Sequence, residues 1–250
     1  MYQKDPIIYI GYDEHEQDAF EVLVHSINKH ASKPITILPL RQDKLRAAGL
    51  YSRLHYIDAD GQLWDSVDGR PFSTQFSFTR FLVPAINQYE GLALYMDCDM
   101  LVRSDIWEVF DYCSNPNKAV FTVFHNYQPD DGYKLDNKLQ QSYNKKNWSS
   151  FVVYNCDHTI NLDLTSFDVS RKSGRYLHTF GWLPDPKFFG EIPEKWNWLD
   201  HHSSESIDAC NVHFTTGGPW FKHWKVKREA DMKYADEWLQ AFNSIEGMTK

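Results

Sequence analysis

Two carboxylates two positions apart are the first residues in this sequence whose types and spacing could do chemistry. Asp97 and Asp99 follow Leu92–Met96, an apolar run typical of a buried strand. In an extended strand, residues i and i+2 point to the same side, so both carboxylates can face one cation while Cys98 points into the core. Such oxygen ligands suit Mg²⁺ and Mn²⁺, which commonly join carboxylates to nucleotide phosphates. We therefore predict a metal site here.

The spacing alone is not specific, because Asp58 and Asp60 repeat it. That second pair lies in a polar turn ending at Gly61, whereas Asp97 directly follows a strand. Ligands of open α/β sheets bind at the carboxyl ends of strands. The position therefore favours Asp97 and Asp99 as ligands. We also expect their carboxylates to be exposed, so that replacing them costs little stability.

The elements that must position this pair begin with a β-α-β unit. Ile7–Gly11 reads as a strand, and Asp13 with Glu16 forms a variant of the capping box that starts a helix. Residues 34–40 read as the next strand. The helix is indicated by apolar residues at helical spacing: Phe20, Leu23, Val24 and Ile27.

A second helix is predicted directly before the Asp97 strand. Its apolar stripe runs from Phe78 to Tyr89, Pro84 should kink it, and Gly91 ends it. On an α-helix, Arg80 would lie opposite the stripe and face either water or a cleft. Its function is therefore open at this point.

The remaining chain is predicted from shorter patterns. Residues 55–72 are polar and rich in turn residues, which indicates a surface excursion. Residues 126–150 are predicted to form either a mobile acceptor loop or a short, separately folded excursion. The remaining predicted strands are 118–125, 151–154 and 159–164, and the remaining predicted helices are 170–180 and 229–245.

Composition excludes several classes of protein. The net charge of −8 argues against nucleic-acid binding. Four cysteines without a CxxC pair indicate free thiols rather than a disulfide scaffold or a zinc site. With no apolar run of about 18 residues and no signal-peptide core in MYQKDP, we expect a cytoplasmic protein. An aromatic content of 16% suits a site that stacks sugars or nucleobases, although most aromatic residues simply fill a core.

Four segments in matching order, 8–13 (IYIGYD), 79–84 (TRFLVP), 93–102 (ALYMDCDMLV) and 213–220 (HFTTGGPW), resemble the glycosyltransferase family 8 group. The resemblance implies an α/β fold of the GT-A type, a Rossmann-like mixed sheet flanked by helices. It also implies a nucleotide-sugar donor, Mn²⁺ or Mg²⁺, and retention of anomeric configuration. We expect one domain over residues 1–250, with a nucleotide-sugar-binding lobe at about 1–125, an acceptor lobe and metal-ligand loop at about 126–228, and a C-terminal helix at 229–250.

The same resemblance assigns roles to individual residues. It makes Asp97, Asp99 and His213 the metal ligands, and mixed nitrogen and oxygen ligation is acceptable to Mn²⁺. Asp13 would accept a hydrogen bond from the nucleobase or only cap the first helix, and Arg80 would contact the donor or brace the Asp97 loop. The full set of implied donor contacts is Gly11, Tyr12, Asp13, Arg80, Gly217 and Lys222.

The sequence departs from the family pattern in two places. Gly218 stands where the family usually carries a diphosphate-binding Lys before Pro-Trp. One member of the basic run Lys222, Lys225, Lys227 and Arg228 could supply that charge, or the run is a solvated face or a weak contact with an anionic membrane surface. In the altered sugar-binding segment, Asn155 and Asp157 are candidate contacts for the hexose or the acceptor.

The predicted reaction moves a hexosyl group from a nucleotide diphosphate sugar, with UDP as the expected nucleotide, to a hydroxyl of a saccharide or glycoconjugate. A covalent route would need a carboxylate nucleophile, for which Asp157 and Asp185 are candidates, and a front-face route stays open. Two alternatives are a nucleotidyltransferase, for which Gly11-Tyr12-Asp13 is a poor phosphate loop, and a non-catalytic sugar- or nucleotide-binding protein.

Overall fold

The computed structural model describes residues 4–125, 132–133, 139–140, 145, 147–221 and 233–248. The strands are β1 (Ile7–Gly11), β2 (Thr36–Leu40), β3 (His55–Ile57), β4 (Leu63–Asp65), β5 (Pro71–Phe72), β6 (Leu92–Met96), β7 (Met100–Val102), β8 (Val120–Thr122), β9 (Gly132–Tyr133), β10 (Leu139–Gln140), β11 (Phe151–Asn155), β12 (Phe189–Glu191), β13 (Trp198–Leu199) and β14 (Asn211–His213). The helices are α1 (Gln17–His30), α2 (Gln42–Ala47), α3 (Val83–Ile86), α4 (Ser166–Arg171), α5 (Gly174–His178) and α6 (Ala235–Met248).

A six-stranded mixed sheet forms the centre, in the order β12-β8-β11-β6-β1-β2. Strand β1 pairs parallel with both β2 and β6, which confirms the predicted β-α-β unit. Strand β11 runs antiparallel to both of its neighbours, β6 and β8. The predicted class, a Rossmann-like mixed sheet flanked by helices, is therefore confirmed.

Both faces of this sheet are covered, so β6 and β11 are buried along their whole length. Successive residues of a strand point to opposite faces, and they accordingly belong to two separate core clusters. One cluster contains Tyr9, Ala93, Tyr95, Val152 and Tyr154, and the other contains Ile8, Ile10, Leu94, Met96, Phe151 and Val153. Leu23 and Ile27 of α1 pack into the second cluster.

Residues 55–72 form a small antiparallel sheet, β3-β4-β5, which agrees with the predicted excursion. An ion pair inside the protein anchors it, because Arg53 donates to both carboxylate oxygens of Asp65 at 2.8 and 2.6 Å. The Arg53 guanidinium also donates to the carbonyl oxygens of Val169 and Lys172. The excursion is thus tied to α4 by a buried charge.

Three predicted elements differ from the structure. Residues 79–82 form a 3₁₀ turn and α3 begins only at Val83, so Pro84 lies in the first helical turn, where its missing N–H costs nothing, and does not kink a longer helix. Residues 159–164 are not a strand but a 3₁₀ turn, in which His158 Nδ1 accepts from the Ile160 N–H and Asn161 donates to two carbonyl oxygens.

The predicted helix at 170–180 is two helices, α4 and α5, because each has its own N-cap. Thr165 and Asp168 form a capping box for α4, and Ser173 caps α5. The terminal helix is confirmed from Ala235 onward, while residues 229–232 of the predicted helix lie outside the described residues. Within the described ranges, no helix is both long and apolar enough to span a membrane.

Candidate metal centre

The three predicted metal ligands lie together, although 114 positions separate Asp99 from His213. Asp97 and Asp99 connect β6 to β7, and β14 pairs antiparallel with β7 so that His213 lies opposite Met100. One ligand atom from each of Asp97, Asp99 and His213 lies within 4.8 Å of the others, and His213 Nε2 is 3.2 Å from Asp99 Oδ1. Strand pairing therefore brings the third candidate ligand, His213, to the two candidate carboxylates that the sequence spacing provides.

All three ligands are buried, which corrects the expectation of exposed carboxylates. Burial raises the pKa of the Asp97 carboxyl; the positive charge of Arg80 opposes this shift, and the neighbouring Asp99 adds to it. The formal charges of the two carboxylates and the Arg80 guanidinium sum to about −1. Two carboxylates and an imidazole in this arrangement fit a divalent cation of the Mn²⁺ type.

Arg80 braces Asp97, which was one of its two predicted roles. Its guanidinium nitrogens lie 3.0 Å from Asp97 Oδ1 and 3.2 Å from Oδ2, and one of them also donates to the Ser149 carbonyl oxygen at 3.1 Å. Arg80 is buried, so it is not a solvated helix face. The prediction that Arg80 lies opposite the apolar stripe assumed the roughly 100° per residue of an α-helix. It does not apply, because residues 79–82 form a 3₁₀ turn, which advances by about 120° per residue.

Tyr95 also holds Asp97, donating from its hydroxyl to Oδ1 at 2.7 Å. Sequence reasoning missed this contact, although Tyr95 and Asp97 are two positions apart and the period of a strand could have indicated it. Gly11 makes room for that hydroxyl: a Cβ built on Gly11 would overlap it and would lie 2.6 Å from Phe76 Cγ. The absence of a side chain at Gly11 therefore leaves room for the Tyr95 hydroxyl that bonds to Asp97.

Three further polar residues at this edge were missed by sequence reasoning. Asn197 Oδ1 lies 3.0 Å from His213 Nδ1, and the Asp200 N–H donates to the His213 carbonyl oxygen. His201 Nε2 lies 3.1 Å from Asp200 Oδ2, and His201 has a left-handed backbone, with φ of 62°. Left-handed backbone at a non-glycine residue is often found at functional sites. The sequence has no signal for these residues, because the parallel pairing of β13 with β14 brings them to His213.

The residues predicted to take part in catalysis as sugar contacts or nucleophile, Asn155, Asp157 and Asp185, do not lie with the predicted metal ligands. Asn155 pairs with Leu92, at the opposite end of β6 from Asp97, which is five residues or about 16 Å away at 3.3 Å per residue. Asp157 accepts from the Gly91 N–H at that same end.

Asp185 caps the turn before β12, where Lys187 is its partner, and β12 runs parallel to β8, so Asp185 also lies at the far edge. These positions correct the sequence-based assignment of all three residues. For Asn155 and Asp157 the reason is the direction of β11, which runs antiparallel to β6, and for Asp185 it is the position before β12.

The predicted donor contacts near β1 have clear structural partners. Asp13 Oδ1 accepts from the His15 N–H at 3.0 Å, and Oδ2 accepts from the Gln75 N–H at 2.9 Å. Asp13 thus caps the turn that leads into α1, and it is only 1% exposed. The ring of Tyr12 lies under the Arg41 guanidinium, 4.4 Å from ring centroid to Cζ. A nucleobase contact by Asp13 stays a prediction.

Gly218, which stands where the family usually carries Lys, is in close contact with the Trp220 ring. The Trp220 ring lies on Gly218, where a built Cβ would be 2.6 Å from Trp220 Cη2. Trp220 itself packs against Phe214 and Trp238. A side chain at position 218 would displace this buried cluster. The predicted substitute charges, Lys222, Lys225, Lys227 and Arg228, lie outside the described residues, and Gly217 is described with φ of 107°.

Comparison with known proteins gives one curated relative of high similarity. Protein CDI of Arabidopsis thaliana is 40% identical to this chain over 243 residues, which cover 95% of the chain and 86% of the relative. This chain belongs to the Protein CDI family. No family model matches it.

Three solved structures share the fold of this CDI family member at low sequence identity. The galactosyltransferase LgtC, in complex with donor and acceptor sugar analogues, has a TM-score of 0.56 at 11% identity over 95% of both chains. Apo GlyE of Streptococcus pneumoniae TIGR4 has a TM-score of 0.52 at 14% identity, over 99% of this chain and 64% of GlyE. Bifunctional WbbM has a TM-score of 0.55 at 11% identity, and the chain spans about half of its length, 52%. The fold is therefore that of GT-A glycosyltransferases.

Proposed function

We propose that this protein is a metal-dependent retaining glycosyltransferase. It transfers a hexosyl group from a nucleotide diphosphate sugar, a UDP-sugar, to a hydroxyl of a saccharide or glycoconjugate. The observation that carries the proposal is the convergence of Asp97, Asp99 and His213 within 4.8 Å at one edge of a GT-A sheet. Donor and acceptor sugar analogues bound to LgtC, which has the same fold, are consistent with such substrates.

The charges of the site account for the need for a metal. Asp97, Asp99 and Arg80 sum to about −1, so the protein alone repels a diphosphate. Asp97, Asp99 and His213 would hold a divalent cation, which neutralises the charge that builds on the departing diphosphate. Arg80 and Tyr95 keep the Asp97 carboxylate aimed at that position.

The position of the carboxylates limits a covalent route. Asp157 and Asp185 lie at the far edge of the sheet, so neither can attack an anomeric carbon placed beside the metal ligands. Asp200 follows β13 at the metal-ligand edge, next to His213. Asp200 is therefore the candidate nucleophile that we propose for a covalent route, whereas a front-face route would use no carboxylate nucleophile.

The decisive experiment is Mn²⁺-dependent hydrolysis of a panel of nucleotide sugars by wild type and Asp99→Asn. We expect the variant to lose about 100-fold or more in rate and to bind Mn²⁺ more weakly, because it lacks one charged ligand. Asp97→Asn is a poorer choice, since it leaves Arg80 buried without its counter-charge. Asp58→Asn is the matched control in the other Asp-x-Asp pair and should behave like wild type.

Two results would count against the proposal. Equal Mn²⁺ affinity in wild type and Asp99→Asn would remove the metal site. Binding of Mn²⁺ and UDP without turnover of any donor would favour the non-catalytic alternative, for which the replacement of the diphosphate-binding Lys by Gly218 is the supporting observation.

A further inference from the structure

The ring of His213 has a second nitrogen, and its partner decides what the first nitrogen can do. Nε2 points at Asp99 Oδ1, and Nδ1 points at Asn197 Oδ1 at 3.0 Å. In a neutral imidazole only one nitrogen carries a proton. If Nδ1 donates to Asn197, Nε2 presents a lone pair and can bind a metal ion.

The orientation of the Asn197 amide follows from the three atoms around its nitrogen. Nδ2 lies 3.0 Å from Ser150 Oγ, 3.1 Å from His125 Nε2 and 3.3 Å from the Asn147 carbonyl oxygen. A carbonyl oxygen can only accept. The Ser150 hydroxyl donates to the same Asn147 oxygen at 2.7 Å, so Oγ offers a lone pair to Asn197. Both contacts require the amide nitrogen, not the oxygen, on this side.

His125 completes the same arrangement. Burial is the main cause that lowers the pKa of His125 to about 3, and the nearby His213 and His202 contribute to that shift. His125 is therefore neutral at physiological pH, and its Nε2 can accept from Asn197. Because Nδ2 of Asn197 donates to these acceptors, the other end of the amide, Oδ1, faces His213 and accepts a hydrogen bond from its Nδ1–H.

We propose that Asn197 is a positioning residue that fixes the proton of His213 on Nδ1 and thereby leaves Nε2 as a metal ligand before any ion arrives. The role of Asn197 rests on the metal site of the proposed function. Nε2 and Asp99 Oδ1 then meet at 3.2 Å as two acceptors, and such a pair repels unless a cation lies between them. The buried amide would thus favour cation binding over a direct bond between His213 and Asp99.

The direct test is ¹⁵N NMR of metal-free protein labelled on histidine nitrogens at pH 7.5, with His213 assigned by the loss of its signals in His213→Gln. We expect the Nδ1–H tautomer in wild type. Asn197→Leu removes the acceptor and lets His213 move its proton to Nε2 and donate to Asp99. Calorimetric titration with Mn²⁺ should show an affinity about 10- to 100-fold weaker in this variant, the usual effect of losing the partner of a metal-bound imidazole.

Two further variants separate the hydrogen bond from general loss of packing. Asn197→Asp keeps an acceptor for Nδ1–H, so it should keep the wild-type tautomer and bind Mn²⁺. Asn161→Leu is the matched control, because Asn161 is also fully buried and its amide bonds to the Ala119 and Asn155 carbonyl oxygens and to the Trp182 indole at the far edge. It should lower stability and leave both His213 and Mn²⁺ binding unchanged.

An Nε2–H tautomer in metal-free wild type would overturn the proposed role whether or not any variant folds. Folded Asn197→Leu with the wild-type tautomer and Mn²⁺ affinity would overturn it as well. Failure of the proposed function would give a different result, because wild type would then bind no Mn²⁺ or turn over no donor. The His213 tautomer in metal-free protein would still show whether Asn197 fixes the proton on Nδ1.

Discussion

Replacing Gly11 by Ala should disturb the candidate metal centre through Tyr95. The added Cβ would overlap the Tyr95 hydroxyl and lie 2.6 Å from Phe76 Cγ and 2.8 Å from Phe76 Cβ. Both neighbouring residues, Tyr95 and Phe76, are buried, so neither can yield without moving the core. The Tyr95 hydroxyl is the atom that donates to Asp97 at 2.7 Å, and its displacement breaks that hydrogen bond.

The expected loss in the free energy of unfolding follows from three contributions. Overpacking of a core costs about 1 to 3 kcal/mol. Loss of a hydrogen bond to a charged group costs about 1.5 to 3 kcal/mol. Replacing Gly by Ala restricts the unfolded chain and returns about 0.4 to 1 kcal/mol. The net expectation is a loss of about 2 to 5 kcal/mol in urea unfolding, together with weaker Mn²⁺ binding.

A double-mutant cycle with Tyr95→Phe identifies the cause. Tyr95→Phe alone removes the hydrogen bond to Asp97, whereas in the Gly11→Ala background that bond is already broken and the removed hydroxyl relieves part of the overlap. The two changes should therefore couple by about 1 kcal/mol or more. Additive effects, or a Gly11→Ala variant as stable as wild type, would refute the reasoning.

Two other predictions concern buried charge. His125 has a pKa lowered to about 3 in the folded protein, so its contribution to the free energy of unfolding is complete above the unfolded pKa of about 6.5 and is lost as the pH falls below that value. Between pH 7.5 and 5.5, wild type should therefore lose about 1.4 kcal/mol more than His125→Gln in urea unfolding. Equal losses in the two proteins would contradict this expectation. Arg53→Met should cost about 3 to 5 kcal/mol because Asp65 stays buried without a counter-charge. The double variant with Asp65→Asn should cost less, and a single variant within 1 kcal/mol of wild type would exclude this explanation.

The sequence predicted those parts of the fold that depend on local pattern. β1 and β6 have clear apolar runs, and the spacing of Asp97 and Asp99 placed both at one strand end, where the structure has them. His213 was placed only through resemblance to a family, because no local pattern links it to Asp99. The position of Arg80 was not predictable from an α-helical phase, since the chain forms a 3₁₀ turn there.

The wrong placement of Asn155 shows a different limit. The run 151–154 was correctly predicted as a strand, but a continuous apolar run reads the same in both directions and carries no information on whether its neighbour is parallel. Because β11 is antiparallel to β6, the residues that follow it lie at the edge remote from Asp97. Asn197 was missed for a related reason, since the pairing of β13 with β14 is long-range.

The wide separation of the ligands along the chain has a consequence for the growing polypeptide. Asp99 is synthesised 114 residues before His213, which at about 5 to 20 residues per second corresponds to about 6 to 23 s. During that interval the nascent chain has both carboxylates but neither the imidazole nor β14, whose pairing with β7 closes the site. If the proposed site binds a cation through all three residues, it can do so only after the segment carrying Asn197 and His213 has left the ribosome and docked.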